Sequence, residues 1–211
     1  MTTDSHTQAL PTANGYYPLA PGKLAALTLY YERLAPFDPK PHLWPEGVSC
    51  FRLGPDNLEQ YRTLFRSIGE RWLWVSRLEI TDSELAAVLA DPDTEAFALE
   101  KDGAMIGLLE LDCHEKGEAE IVYVGLVEQA TGSGLGGAMM TYAFARATAR
   151  AANRVWLHTC HFDSSQASRF YEKCGFKAYQ LAVEIMDDPR ISGQLRPEAA
   201  PHVPFVPLAR K

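Results

Sequence analysis

No apolar run in this chain approaches the roughly 18 residues that a membrane helix needs, so a bilayer-spanning segment is not expected. Residues 1–18, MTTDSHTQALPTANGYYP, lack both the basic and the apolar region of a secretory signal, and a cytoplasmic location is the expectation. Cysteine is sparse: Cys50, Cys113, Cys160 and Cys174 are scattered with no C-x-x-C pair. They are expected to be reduced, half-buried side chains. Basic surplus is missing too. The formal charge is −7, with no basic run or Arg-aromatic patch, which argues against a nucleic-acid partner. There are no repeats or low-complexity tracts. With 46% hydrophobic residues over 211 positions, the chain can bury a substantial core without staples.

Two parts are expected. Residues 1–47 form an N-terminal extension, loose up to about 21, with one strand at 24–34 and a proline-rich connector, FDPKPHLWPEG. From Val48 to Lys211 runs the main domain. VSCFRLG reads as a strand, Asp56 with Glu59 as a capping pair, and Leu58, Tyr61, Leu64, Phe65 and Ile68 as a helical stripe. Thr81 with Glu84 forms a second capping box. EAFALEK, MIGLLELD and AEIVYVGLV are three strands, the first two joined by an Asp102-Gly103 turn. A long helix follows, then the strand VWLHTC, then the helix SSQASRFYEKC ending at Gly175, then FKAYQLAVEIM. HVPFVPL is a candidate last strand. This order predicts a mixed α/β domain and not a repeated βαβ series.

The most informative stretch is Val122–Met140, where an apolar strand enters a glycine-dense loop that opens into a helix at about Ser133. Glycines there leave amides unobstructed, and the helix start adds unpaired N–H groups and a positive dipole end. Such a loop cradles phosphate. Gly132-x-Gly134-x-x-Gly137 satisfies a dinucleotide fingerprint, but it falls past the middle of the chain. The next strand ends in Thr159, Cys160 and His161 instead of a ribose-gripping carboxylate. A Gly-Lys-Ser/Thr P-loop is absent.

Gln129-Ala130-Thr131-Gly132-Ser133-Gly134 matches the motif Gln/Arg-x-x-Gly-x-Gly/Ala. Ser164-x-x-Ala167-x-x-x-Tyr171-x-Lys173-x-Gly175-Phe176 matches Asn-x-x-Ala-x-x-x-Tyr-x-Lys-x-Gly-Phe with Ser for Asn. With both motifs in this order, Val48 to Asp188 resembles the GNAT superfamily of acetyl-CoA-dependent N-acetyltransferases. Ser133 stands where such proteins often carry Arg or Lys.

The resemblance implies a central, mostly antiparallel mixed sheet, splayed at the coenzyme site and flanked by about four helices. It implies acetyl-CoA as co-substrate, no metal, and transfer to a primary amine of a small molecule or peptide. The coenzyme would be held by Val124, Leu126, Val127, Gln129, Thr131, Gly132, Ser133, Gly134, Leu135, Gly136, Gly137, Ser164 and Tyr171. Tyr171 would be the general acid and Glu120 the base, with Glu118 in reserve. Alternation places Glu118, Glu120, Val122 and Val124 on one face. Glu120 is equally readable as a solvated strand residue, and Gly125 as either the site of a strand bulge or a packing glycine.

Trp72, Trp74 and Arg77 lie where an acceptor pocket would form, and His161 and Asp163 where a cleft would be bordered. Cys113-His114 and His158-x-Cys160-His161 match no common zinc spacing, and His158 reads as a packed or hydrogen-bonded strand residue. A binding protein that keeps the coenzyme site without turnover is the alternative, and a nicotinamide enzyme a further rival. A homodimer is compatible with the strand ahead of the main domain.

Overall fold

The computed structural model describes residues 13–37 and 44–207. The strands are β1 (Lys23–Leu34), β2 (Val48–Leu53), β3 (Thr94–Lys101), β4 (Ala104–Asp112), β5 (Glu118–Leu126), β6 (Arg154–Cys160) and β7 (Lys177–Asp187). The helices are α1 (Leu58–Gly69), the single turn α2 (Ser76–Glu79), α3 (Asp82–Ala90), α4 (Leu135–Ala149) and α5 (Ala167–Lys173). Much of the 1–21 segment and of the proline-rich connector lies outside the described residues.

One sheet runs in the order β2-β3-β4-β5-β6-β1-β7. Every neighbouring pair is antiparallel except β5 and β6. That parallel pair holds only through Glu118–Arg154, Ala119–Val155 and Glu120–Trp156. Beyond these residues β5 and β6 part, leaving a fork whose edges lack a pairing strand. The sheet is therefore mixed, with its splay at the one parallel contact.

β1 is an interior strand. It pairs with β6 from Thr28 to Leu34 and with β7 from Lys23 to Glu32. Tyr31 enters the core shared by α4 and α5, and Ala26 enters a core beneath the C-terminal segment. Enrichment in Leu, Thr and Tyr marks LAALTLYYERL as a strand, but sequence does not reveal the strand's neighbours.

α4 lays Met139, Met140, Ala143, Phe144 and Ala147 on one face of the sheet, against Leu109, Leu111, Ile121, Val155 and Leu157. α1 covers the other face with Tyr61, Leu64, Phe65 and Ile68, joined by Leu85 and Leu89 of α3. The Thr81 box forms as expected, with the Glu84 amide donating to Thr81 Oγ1 at 3.3 Å and the Thr81 amide to Glu84 Oε2 at 2.7 Å. Asp102 and Gly103 take φ of 51° and 78°, the left-handed pair a tight hairpin requires. Gly175, with φ 87°, closes α5, and the Phe176 amide reaches back to Tyr171 O at 3.1 Å.

Three local expectations change. Asp56 does not cap α1: Pro55–Asn57 forms a 3₁₀ turn, and Asn57 Oδ1 accepts from the Gly54 amide at 3.0 Å. The long helix starts at Leu135 instead of Ser133, because Gly134 sits in a left-handed conformation at φ 84°. The described part of HVPFVPL is no strand. Its prolines remove ladder donors, and its carbonyls go to Arg190 instead. The Arg190 guanidinium donates to Val203 O at 2.9 Å and Pro204 O at 2.9 Å, while Asp188 accepts from it at 2.8 Å. Leu195, Ala199, Ala200 and Val203 consequently pack on Leu73, Val75 and Phe162.

Candidate active site

β5 carries the irregularity that opens the fork. Leu111 pairs with Ile121 and Glu110 with Tyr123, so Val122 is the extra residue of a β-bulge. A one-residue insertion inverts every later side chain. Glu120 therefore shares its face with Tyr123 and Gly125, not with Val124 as simple alternation predicts. Val124 and Leu126 turn toward α4. Gly125 is the packing glycine of the two options: a Cβ there would lie 2.5 Å from Ile68 Cγ2 and 3.3 Å from Trp74.

The glycine loop between β5 and α4 is open backbone. Gly132 and Gly134 have φ of 75° and 84°, and a Cβ at either would meet no atom within 4 Å. The loop is thus open to a ligand and held by backbone conformation, not by crowding. Thr131 Oγ1 donates to Glu128 O at 2.6 Å and Ser133 Oγ to Ala130 O at 2.6 Å, which fixes the turn from within. The Gly137 and Ala138 amides both turn to Gly134 O, at 3.1 and 3.4 Å. Those of Gly132, Ser133, Gly134, Leu135 and Gly136 make no hydrogen bond among the described residues. Five unpaired donors thus stand at the start of a 15-residue helix, where the positive end of the helix dipole adds to them.

A cavity of about 590 Å³ joins this loop to the fork. Val124, Leu126, Thr131, Gly132, Gly134, Gly136, Gly137, Ser164 and Tyr171 line it, as expected. Val127, Gln129, Ser133 and Leu135 do not. Val127 packs against the α1 core and the Leu135 side chain is buried. Gln129 points to solvent from the 3₁₀ turn Glu128–Ala130, and the Ser133 hydroxyl proton is taken by Ala130 O. Ser164 precedes α5 and is not part of it.

Tyr171 lies on the α4/α5 face of the sheet, its ring 5.9 Å from that of Tyr31. Burial raises its hydroxyl well above the usual phenol range, so it stays protonated throughout the neutral range. Its hydroxyl has no hydrogen-bond partner among the described residues. Cys160 also lines the cavity. Burial, followed by the Asp163 charge, pushes its thiol up to about 11, so it is no nucleophile at neutral pH.

The opposite face of the fork is polar and aromatic. His158 lines the cavity from β6. Its Nδ1 lies 3.7 Å from Glu120 Oε1, and its ring is 5.6 Å from that of Tyr30. Glu120 itself is not among the lining residues. Trp74 Nε1 donates to Asp163 Oδ1 at 3.2 Å, and Thr159 Oγ1 and the Cys160 amide donate to Asp163 Oδ2 at 2.7 and 3.0 Å. This ties the loop after α1 to the end of β6 across the mouth of the fork.

Trp72 and Asp163 border the cavity as expected. His161 does not: its Nδ1 accepts from the Leu27 amide at 2.9 Å. Arg77 instead pairs with the fully buried Glu110 at 2.5 Å, beside Tyr61 and beneath Tyr123. Glu184 of β7 lines the cavity without having stood out in the sequence, and His158 lines it where a packed strand residue was expected. Glu184 is the one carboxylate inside the run FKAYQLAVEIM, but which strand β7 joins was not legible.

The model of the acetyltransferase (GNAT) family matches residues 58–176, from α1 through the end of α5. None of the curated proteins matches the sequence. Among solved structures, a GCN5-related N-acetyltransferase from Sphaerobacter thermophilus is 18% identical, with TM-score 0.59 over 79% of this chain and 53% of its own. Another, from Kribbella flavida, is 19% identical with TM-score 0.52, over 82% and 63%. The chain thus spans under two thirds of either protein. An aminoglycoside acetyltransferase, meta-AAC0020, from an uncultured soil metagenomic sample is 21% identical with TM-score 0.54, over 65% of this chain and 93% of its own. At these identities the likeness is one of fold.

Proposed function

Because the chain belongs to the acetyltransferase (GNAT) family, we propose that it transfers an acetyl group from acetyl-CoA to a primary amine by direct attack in a ternary complex. The observation that carries this reading is the row of unpaired amides from Gly132 to Gly136, opening into the cavity that Tyr171 lines. A diphosphate on those amides leaves the pantetheine to run beside the free edges of the fork, where β5 and β6 have no strand between them. Backbone pairing with such an edge orients an extended ligand.

Tyr171 holds a proton for the departing sulfur, and Glu120 supplies negative charge on the amine side of the reaction. Cys160 is raised to about 11 by burial, which favours direct attack over an acyl-cysteine intermediate. All four cysteines are free thiols, in keeping with a reducing, cytoplasmic setting. No helix among the described residues is long and apolar enough to cross a membrane.

Incubation with acetyl-CoA and an amine panel, read as release of free thiol, tests the activity. Coenzyme binding without thiol release would instead identify a non-catalytic binding protein, and tight NADH binding would defeat the reading. Tyr171→Phe is expected to lower turnover by about 10²-fold or more, with coenzyme A affinity changed by less than about twofold. Equal turnover in the two proteins removes Tyr171 from the mechanism.

A second copy of the chain is a further proposed partner. β7 is the end strand of the sheet, and its Tyr179, Leu181, Val183 and Ile185 are exposed. Antiparallel pairing of two β7 strands about Ala182 sets Leu181 against the partner's Val183 and Tyr179 against the partner's Ile185. It also sets Lys177 against the partner's Asp187. Asp187→Lys should yield monomers in sedimentation equilibrium, and adding Lys177→Asp should restore dimers. A monomeric unaltered chain, or a dimer indifferent to Asp187→Lys, contradicts this pairing.

A further inference from the structure

We propose that the acceptor binds as a cationic amine on the His158 face of the fork, and that His158 is the base that takes its proton, with Glu120 acting through it. This rests on the proposed acetyl transfer and assigns its acceptor site. Pairing of Tyr30 with His158 and of Tyr31 with Leu157 fixes the two faces. Tyr31 and Leu157 join the Tyr171 core, so His158 projects to the opposite side. Both Tyr171 and His158 nevertheless line one cavity. An acid and a base therefore look at the same gap from opposite faces of the sheet, which is the arrangement an addition–elimination at a thioester needs.

The neighbours of His158 define its chemistry. Glu120 faces Nδ1, leaving Nε2 for the acceptor. Glu184 lines the same cavity, and the register that sets it opposite Ala26 puts it on the His158 face. Glu184 forms no ion pair or side-chain hydrogen bond among the described residues, so its charge is available to a ligand. Asp163 is the third carboxylate, and Tyr30 the adjoining phenol. Arg71, the cation on the rim, is matched by Glu128 at 3.1 Å. The field at this end is negative, which draws an ammonium. His158 keeps a 43% exposed side chain, so it can pass a proton to solvent, whereas Glu120 is 17% exposed.

The ammonium gives one proton to His158 Nε2. The amine nitrogen then bonds to the acetyl carbonyl carbon, and the C–S bond breaks with its electron pair on sulfur. Sulfur takes the Tyr171 proton, and the second nitrogen proton restores Tyr171 by way of solvent. One proton leaves through His158.

Glu120 first, and the Glu184 and Asp163 charges after it, raise His158 above its ordinary 6.5, against the opposing effect of burial. A base works deprotonated, so kcat/KM should rise with pH through a value above 6.5. His158→Gln is expected to remove that limb and lower kcat/KM about 10²-fold. Glu120→Gln should move the limb to lower pH, and Glu184→Gln should raise KM for an alkyl diamine more than for a monoamine. Amines of different basicity separate the limb from the acceptor's own titration. A limb that follows the acceptor, or survives His158→Gln, overturns the assignment. The His158 ring titration, followed by NMR and identified by its loss in His158→Gln, is an independent readout. It should fall in Glu120→Gln, and an unchanged titration also overturns the pairing. Absence of turnover by the unaltered chain with any amine would count against the proposed function instead.

Discussion

Gly134→Glu is expected to lose coenzyme A affinity by about 100-fold or more, equivalent to about 2.7 kcal/mol. Two effects combine. Gly134 has φ 84°, a conformation that costs an L-residue roughly 1–2 kcal/mol. The new carboxylate would stand among the amides that offer the only fixed positive potential in the loop, where it repels a diphosphate. Crowding is not involved, since a Cβ at this position meets nothing within 4 Å. Gly134→Ala therefore separates the two: it carries the backbone strain without the charge and should lose only about tenfold. Calorimetric titration with coenzyme A reads both. Equal affinity in the Glu variant and the unaltered chain would place the phosphates elsewhere.

Removal of residues 1–34 is expected to abolish folding. β1 is hydrogen-bonded on both sides, and without it β7 loses its strand neighbour. Tyr31, 2% exposed, and Ala26, wholly buried, leave two separate cores. Losses of this size exceed the roughly 5–15 kcal/mol that holds a domain together. The point variant Tyr31→Ala is a milder form, expected to cost about 3–5 kcal/mol. Urea unfolding followed by circular dichroism measures both. A cooperative transition in the truncated chain at the same midpoint would mean that the strand is an accessory.

This strand also marks the limit of what the sequence could tell. Its own residues predicted an extended segment correctly, because a run enriched in Leu, Thr and Tyr suits a pleated surface. Its place between β6 and β7 depends on pairings 120 or more residues away in the chain, and no local pattern encodes them. The backbone form of the glycine loop was legible in part, because Gly132 and Gly134, both at positive φ, cluster directly ahead of a helix. The bulge at Val122 was not. β-branched residues around it suit a regular strand equally well, and the bulge is what turned Val124 away from Glu120. The capping boxes divide in the same way: Thr81 and Glu84 supply both reciprocal bonds locally, whereas Pro55 diverts the start of α1 into a 3₁₀ turn. His158 was read as a packed strand residue, since only the parting of β5 and β6 gives it a cavity to face.

The most direct measurement is a crystal structure with acetyl-CoA bound. It should show diphosphate oxygens within hydrogen-bond distance of the amides between Gly132 and Gly136, with the thioester sulfur beside the Tyr171 hydroxyl. A ligand bound away from that turn, or a sulfur remote from Tyr171, would contradict the account.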